Sequence, residues 1–276
     1  MLVKFKLTLM VVITSVMAYL IAAGGSADLV TIALLFIGGF CVSGAANGIN
    51  QVLEKDYDAL MERTQNRPLP AHRMKSSEAV LFSGLSLVVG TLCLGLINPL
   101  TAFIGMCSFM LYAFVYTPLK RYSTLSVAIG AIPGALPVLI GAVAFDGTFT
   151  ILALTLFLIQ FLWQFPHFWA IAYLSFDDYD RAGYKLLPLS ESGSIDRNLG
   201  TYSAIYALLI IPTVVWAYLS GVETHIVALA LVVLCTLIYA AMAILMQMKP
   251  SRKTALGLMF SSFFYLPIVL ALYLIG

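Results

Sequence analysis

Stretches of about 20 apolar residues alternate along this chain with polar breaks, the pattern of a polypeptide that crosses a bilayer repeatedly. Runs long enough to span the hydrocarbon occupy residues 7–23, 29–47, 79–97, 100–117, 124–144, 149–170, 200–219, 225–247 and 255–275. The pattern therefore predicts nine transmembrane helices. The first run has no clear small-residue cleavage site and reads as helix 1, not as a removable signal. Most breaks are short, as at Asn98-Pro99, so neighbouring helices should lie antiparallel and close. Two are long and charged, residues 48–77 and 175–199, and loops of that length usually carry function. They sit four helices apart, which gives helices 2 and 6 the same direction and suggests a faint parallel repeat. No linker or low-complexity tract interrupts the chain, so residues 1–276 are expected to form a single transmembrane domain.

Composition agrees, because a chain that is 61% hydrophobic and 10% charged demands lipid around it. Charge placement adds orientation. All 15 Lys and Arg residues fall on one side of the proposed helices: Lys4 and Lys6 before helix 1, then the breaks after helices 2, 4, 6 and 8. The positive-inside rule puts that side, and the N-terminus, in the cytoplasm. A net charge of +2 then needs no nucleic acid to explain it. Cys41, Cys93, Cys107 and Cys235 lie singly within helices, without metal or redox spacing, and read as packing residues.

The costly residues sit at two helix ends. At 100° per residue, Asn47, Asn50, Glu54 and Asp58 fall within about 80° on one helical face, and polar groups near membrane depth are read first as function. Asp56 points about 200° from Glu54 and is left open by geometry. On helix 6 the side chains of Gln160, Gln164, His167, Ser175 and Asp178 share a face by the same arithmetic, blurred by Pro166. If helices 2 and 6 face each other, carboxylates converge at one mouth and need a cation between them. An all-oxygen set favours a hard divalent ion, and carboxylates with substrate phosphates are the usual surroundings of Mg²⁺. Glu54, Asp58 and Asp178, with Asp56 as a further option, are the expected metal ligands.

Arg63, Arg67, Lys120 and Arg121 lie on the same membrane side and suit a diphosphate, which guanidinium forks bind bidentately. Singly, each also satisfies the positive-inside rule; together with the acids they point to chemistry. A diphosphate at the mouth and an apolar groove behind it describe an isoprenyl diphosphate, ionised with the metal and the basic residues stabilising the leaving group. His167 is read either as a ligand of iron or carrier of a proton, or as a hydrogen-bonded structural residue. His72 and His225 read as solvated, and Trp163, Trp169 and Trp216 as interfacial anchors.

At these residues the chain resembles the intramembrane prenyltransferases of the UbiA superfamily, through Asn50, Glu54 and Asp58 at four-residue steps followed by Arg63, Thr64, Arg67 and Pro68. Within it the match is to the heme O synthase (protoheme IX farnesyltransferase) branch, through ExDxDxxMxRTxxRPLP, YTPLKR, GAIPGALPVLIG and PHFWAIA followed by DDYxxAGxxLLP. The resemblance implies an all-α, nine-helix bundle of the UbiA type and Mg²⁺-dependent transfer of a farnesyl group from farnesyl diphosphate to a vinyl group of heme B. Heme would be a substrate, and water addition would give heme O for terminal oxidase assembly, with heme A synthase or oxidase assembly factors as implied partners. Asn50, Glu54, Asp58, Asp178 and His167 would be the catalytic set, in a bacterial inner membrane or, alternatively, a mitochondrial one. Departures from the superfamily pattern stand at Gln51 and Glu54, where Asp is frequent, at Arg181, where a second paired acid is usual, and at Tyr184-Lys185. His72 stands where relatives commonly carry Gly.

Two rivals remain at this level. A UbiA-type enzyme acting on an aromatic quinone precursor would use the same diphosphate apparatus. An ion-coupled transporter also employs intramembrane carboxylates, but no polar path leads from these acids toward the other side.

Overall fold

The computed structural model describes residues 2–276, and among them nine helices are long and apolar enough to cross a membrane. They are α1 (Phe5–Ala23), α2 (Leu29–Asp58), α3 (Ser76–Gly95), α4 (Pro99–Leu119), α5 (Ser126–Asp146), α6 (Ile151–Leu174), α7 (Leu199–Leu219), α8 (Ile226–Met248) and α9 (Arg252–Ile275). All nine expected spans are present, and this is an all-helical, multi-pass membrane protein. Large side chains exposed on α3 and α8, such as Leu81, Leu85, Leu234 and Ile238, face the lipid and need no protein partner.

The main difference from the sequence reading lies at the end of α2. The apolar run stops near residue 47, yet the helix continues to Asp58. Thirty residues at 1.5 Å each reach about 45 Å, well beyond the hydrocarbon core. Its polar last turns therefore extend the rod past the lipid, and only residues 59–75 form the connecting loop. In that loop His72 takes a left-handed conformation at φ 53°. Glycine adopts that region without a Cβ penalty, whereas histidine does not.

Helix starts follow their sequences. Asp28 accepts from the Thr31 N–H at 2.8 Å, Asn98 caps α4 with Pro99 in its first turn, and Ser251 forms a capping box with Thr254. Prolines mark the irregular places. Pro212 withholds the N–H that Leu208 O would accept, and α7 is assigned as two segments, Leu199–Leu208 and Ile210–Leu219. Through Pro166, by contrast, α6 is assigned without a break.

α5 is the hub of the bundle, with 78% of its span buried against 22% for α3. Its run GAIPGALPVLIGAVA is rich in small residues, which let helix backbones approach. A side chain at Gly141 would collide with the α1 backbone at Ser15, and one at Gly90 of α3 would sit 2.9 Å from the carbonyl of Gly38 on α2. Pro137 leaves the Pro133 carbonyl without its helical donor, and Ser108 Oγ of α4 supplies one at 3.3 Å. Gln164 and Gln160 of α6 also serve α5, donating to Ala131 O at 2.9 Å and Gly134 O at 3.4 Å. The inner half of the predicted α6 polar stripe thus hydrogen-bonds the backbone of α5.

Candidate functional site

The start of α1 and the far ends of α2, α4 and α6 meet around a cavity of about 240 Å³. α2 and α6 face each other across it, as the sequence reading required. Asn50, Glu54 and Asp58 line one wall, His167, Phe168, Ile171 and Ala172 the opposite one, and Lys4, Arg63, Arg67 and Lys120 surround the acids.

Each buried acid already holds a cation. Asp58 Oδ2 lies 2.6 Å from Arg67 Nη1, while its second oxygen, Oδ1, is buried without a hydrogen-bond partner. Glu54 Oε2 accepts from Asn50 Nδ2 at 2.9 Å, and Oε1 stands 2.5 Å from Lys120 Nζ, off line for a hydrogen bond but close enough for an ion pair. The Asn50 amide is fully engaged: Nδ2 also donates to Thr117 Oγ1 at 3.0 Å and Oδ1 accepts from Lys4 Nζ at 3.1 Å. Asn50 therefore orients Glu54, and has no polar atom left for a ligand.

The geometry of α4 places Lys120. Residues Leu111–Tyr116 form a π-helical segment, with the Thr117 N–H and Oγ1 both reaching back to Tyr112 O. Pro118 follows and brings no N–H of its own, which favours the widened turn. The register turns Tyr112, Tyr116 and Lys120 into the cavity. The Lys120 ammonium lies 4.8 Å from the Tyr116 ring and 5.3 Å from that of Tyr184, a cation–π pair of contacts that holds it in place. Burial, and then the charges of Glu54 and Asp58, push the Tyr184 hydroxyl far above the usual phenol range, so it stays protonated as a donor.

Several expected site residues are not brought to the cavity. Asp178 sits on a short helix, Phe176–Arg181, where it accepts from the Glu62 N–H at 3.2 Å and pairs with Arg181. It pins the 59–75 loop to this helix, and Arg181 is its counter-ion. Asp56 is exposed on the face of α2 away from the cavity, and no group of three acidic, His or Cys residues able to hold a metal occurs among the described residues. Of the expected set, Glu54 and Asp58 line the cavity, and Asp178 and Asp56 do not. Arg121 is also diverted, donating to the Tyr57 hydroxyl at 2.6 Å and stacking on its ring at 4.7 Å.

His167 is buried and lines the cavity, its ring stacked on Trp163 with centroids 4.7 Å apart. Nδ1 lies 2.7 Å from Ser262 Oγ of α9, and that hydroxyl donates to Met259 O at 2.5 Å. With its one proton committed, Ser262 accepts from His167, which places the imidazole proton on Nδ1 and leaves Nε2 as the atom with a free lone pair. Trp163 and Trp169 are not interfacial anchors: Trp163 donates to Ser262 O at 3.0 Å and Trp169 is buried, whereas Trp216 is exposed as expected.

Lys4 is the residue that sequence reasoning missed. Counted only as a topological charge, it is half-buried and donates to Asn50 Oδ1 at 3.1 Å, with desolvation, reinforced by Arg67 and Lys120, pulling its ammonium down to about 7. Nothing local in VKFK marks it; only the packing of α1 on α2 brings it there.

This geometry has known relatives. The family model described as UbiA prenyltransferase family matches residues 11–265. A protein of Cytophaga hutchinsonii named protoheme IX farnesyltransferase is 42% identical over 270 residues, covering 96% of this chain and 92% of its own. One of the same name from Flavobacterium psychrophilum is 38% identical over 279 residues, covering 99% and 91%. Among solved structures, one described as digeranylgeranylglyceryl phosphate synthase in membranes superposes with a TM-score of 0.81 at 20% identity, covering 100% of this chain and 95% of that one. A UbiA homolog from Archaeoglobus fulgidus, bound to DMAPP and Mg²⁺, gives 0.69 at 16% identity over 99% and 97%. The structures share the fold and the sequences share far more, so this chain belongs to the UbiA prenyltransferase family.

Proposed function

We propose that this chain transfers the farnesyl group of farnesyl diphosphate to the outer carbon of a heme B vinyl group, with water adding at the inner carbon, to give heme O, pyrophosphate and a proton. The observation that carries the reading is the charge of the cavity. Four basic side chains, Lys4, Arg63, Arg67 and Lys120, surround two carboxylates, Glu54 and Asp58, so basic groups outnumber acidic ones and favour an anion. The names of the sequence relatives select heme as acceptor.

The residues present fit a divalent ion held jointly with a diphosphate. Asp58 Oδ1 is a buried oxygen with no partner, and Glu54 adds a second hard donor, which suits Mg²⁺ bound by one or two carboxylates and substrate phosphates and not by a full protein cage. When bound, the metal supplies Lewis-acid stabilisation of the departing pyrophosphate. Arg63, Arg67 and Lys120 neutralise the charge that develops as the allylic C–O bond breaks. The rings of Tyr112, Tyr116 and Phe168 present faces that stabilise the allylic cation and exclude water from it. At about 240 Å³ the cavity is smaller than the roughly 300–1,000 Å³ of a full ligand site. It takes the head group, while the farnesyl chain and the macrocycle extend along apolar walls such as Leu7, Val127 and Ile171. His167 Nε2 offers an axial nitrogen to heme iron. The mouth faces the cytoplasm, with the N-terminus on that side of a bacterial inner membrane.

The test is direct: membranes containing the protein, given heme B, farnesyl diphosphate and Mg²⁺, yield a heme heavier by one farnesyl group and one hydroxyl group. A prenylated aromatic acid in place of heme O would select the quinone-precursor reading, and ion-driven uptake without any product the transporter. His167→Ala is expected to shift the Soret band of bound heme and lower turnover, since losing an axial nitrogen alters the ligand field. An unchanged spectrum with full activity removes His167 from the acceptor site.

A further inference from the structure

The imidazole of His167 is held by a single residue of another helix. Ser262, in α9, is fully buried, and it acts on the ring through both its backbone and its side chain. Its carbonyl accepts from Trp163 Nε1 at 3.0 Å, and Trp163 stacks on His167 with centroids 4.7 Å apart and planes 17° from parallel. Its hydroxyl lies 2.7 Å from His167 Nδ1, and because its proton is given to Met259 O at 2.5 Å, it meets the imidazole with a lone pair. The stack fixes the plane of the ring, and the hydroxyl fixes its rotation within that plane. Tyr239 of α8 steadies the same stretch of α6, donating to Trp163 O at 3.1 Å, one turn before His167.

A serine in a membrane helix commonly bonds back to its own helix and ties neighbouring helices together. That role alone gives the tied histidine no reason to border a cavity. His167 instead divides its two nitrogens: Nδ1 is committed to Ser262, and Nε2 keeps its lone pair on a residue that lines the cavity. Its neighbours on that wall, Phe168, Ile171 and Ala172, carry no polar side-chain atom, so Nε2 is the one side-chain ligand atom that α6 offers there. A histidine that donates Nδ1–H to a fixed acceptor has its tautomer and ring orientation set and its other nitrogen made more basic, which is how outer partners tune a metal ligand. We propose that Ser262 is a positioning residue for the acceptor, holding His167 as the Nδ1–H tautomer and presenting Nε2 to the iron of the bound tetrapyrrole.

This inference rests on the reading of His167 as an axial ligand of heme, and two variants keep them apart. His167→Ala tests the reading through heme B bound to the purified protein: an unchanged Soret band and heme Kd would remove the ligand, and the proposal with it. Where His167→Ala alters the spectrum, Ser262→Ala tests the proposal alone. It keeps the ligand but loses the acceptor on Nδ1, and heme Kd is expected to rise about tenfold, the lower end of the effect of removing an outer partner of a metal ligand. The iron–histidine stretch of the ferrous complex should move to lower frequency, because an imidazole without that acceptor donates less strongly to the metal. KM for farnesyl diphosphate should stay near the wild-type value, and Ser262→Thr, which keeps the hydroxyl, should recover both heme Kd and the stretch. A Ser262→Ala protein that melts at a lower temperature with heme Kd and the stretch unchanged overturns the proposal and makes Ser262 a residue of helix packing. If Ser262→Ala fails to fold, Ser262→Cys takes its place, since a thiol is only a weak acceptor; a wild-type stretch and heme Kd in that variant overturn the proposal equally.

Discussion

Asp58→Asn is expected to lower farnesyl transfer by about a hundred- to a thousandfold, the magnitude lost when one preorganised electrostatic group is removed from a transition state. The bundle should stay folded. Asparagine keeps the shape of the side chain and an acceptor for Arg67, which is partly exposed and so not left as a buried lone charge. What disappears is the charge on Oδ1, the buried oxygen without a partner and the best-placed donor for a divalent ion. Glu54→Gln should cost nearly as much, because its amide would confront Lys120 Nζ at 2.5 Å and disturb the cation meant for the diphosphate. Asp56→Asn supplies the contrast and should leave turnover near normal, its carboxylate being exposed away from the cavity. Chelation should abolish activity and Mg²⁺ restore it in the wild type, with Asp58→Asn needing more metal. Rates within a few-fold of wild type for both Asp58→Asn and Glu54→Gln would remove the carboxylates from the chemistry.

These expectations separate what the sequence disclosed from what it did not. Nine spans were readable because lipid leaves a one-dimensional trace: each crossing must be apolar for about 20 residues, whatever it packs against. Helical periodicity and the side of the membrane that every second break shares put the polar ends of α2 and α6 at the same surface, while their facing across one mouth stayed a condition that the cavity meets. Where the placement differs from the reading, the cause is a contact that the periodicity does not record. Asp178 lies on the expected face but is claimed by Arg181 and by the Glu62 N–H of another loop. Arg121 is one residue from Lys120, and the π-helical register of α4 sends one into the cavity and the other to Tyr57. Gln160 and Gln164 carry the period of a functional stripe, yet their amides are spent on the irregular backbone of α5. Lys4 was hidden by its own plausibility, since the positive-inside rule already gave it a role.

The second large effect is expected at Arg67, because one guanidinium serves two tasks there. Nη1 holds Asp58 Oδ2 at 2.6 Å, and the remaining N–H groups of the planar fork are free to meet a phosphate. A lysine offers a single compact charge and cannot hold both partners in one geometry. Arg67→Lys should therefore raise KM for farnesyl diphosphate by at least about tenfold, within the range expected for a charged hydrogen bond, while KM for heme is preserved. Arg67→Met goes further and leaves the buried Asp58 carboxylate without its cation, a loss of about 3–5 kcal/mol when one partner of a buried pair is removed. Adding Asp58→Asn to Arg67→Met should then restore much of the stability without restoring activity. That pattern assigns stability to the pair and catalysis to each member's contact with the donor. If instead Arg67→Lys weakens heme binding and leaves the diphosphate kinetics unchanged, the guanidinium meets the heme propionates, and the positive side of this cavity belongs to the acceptor.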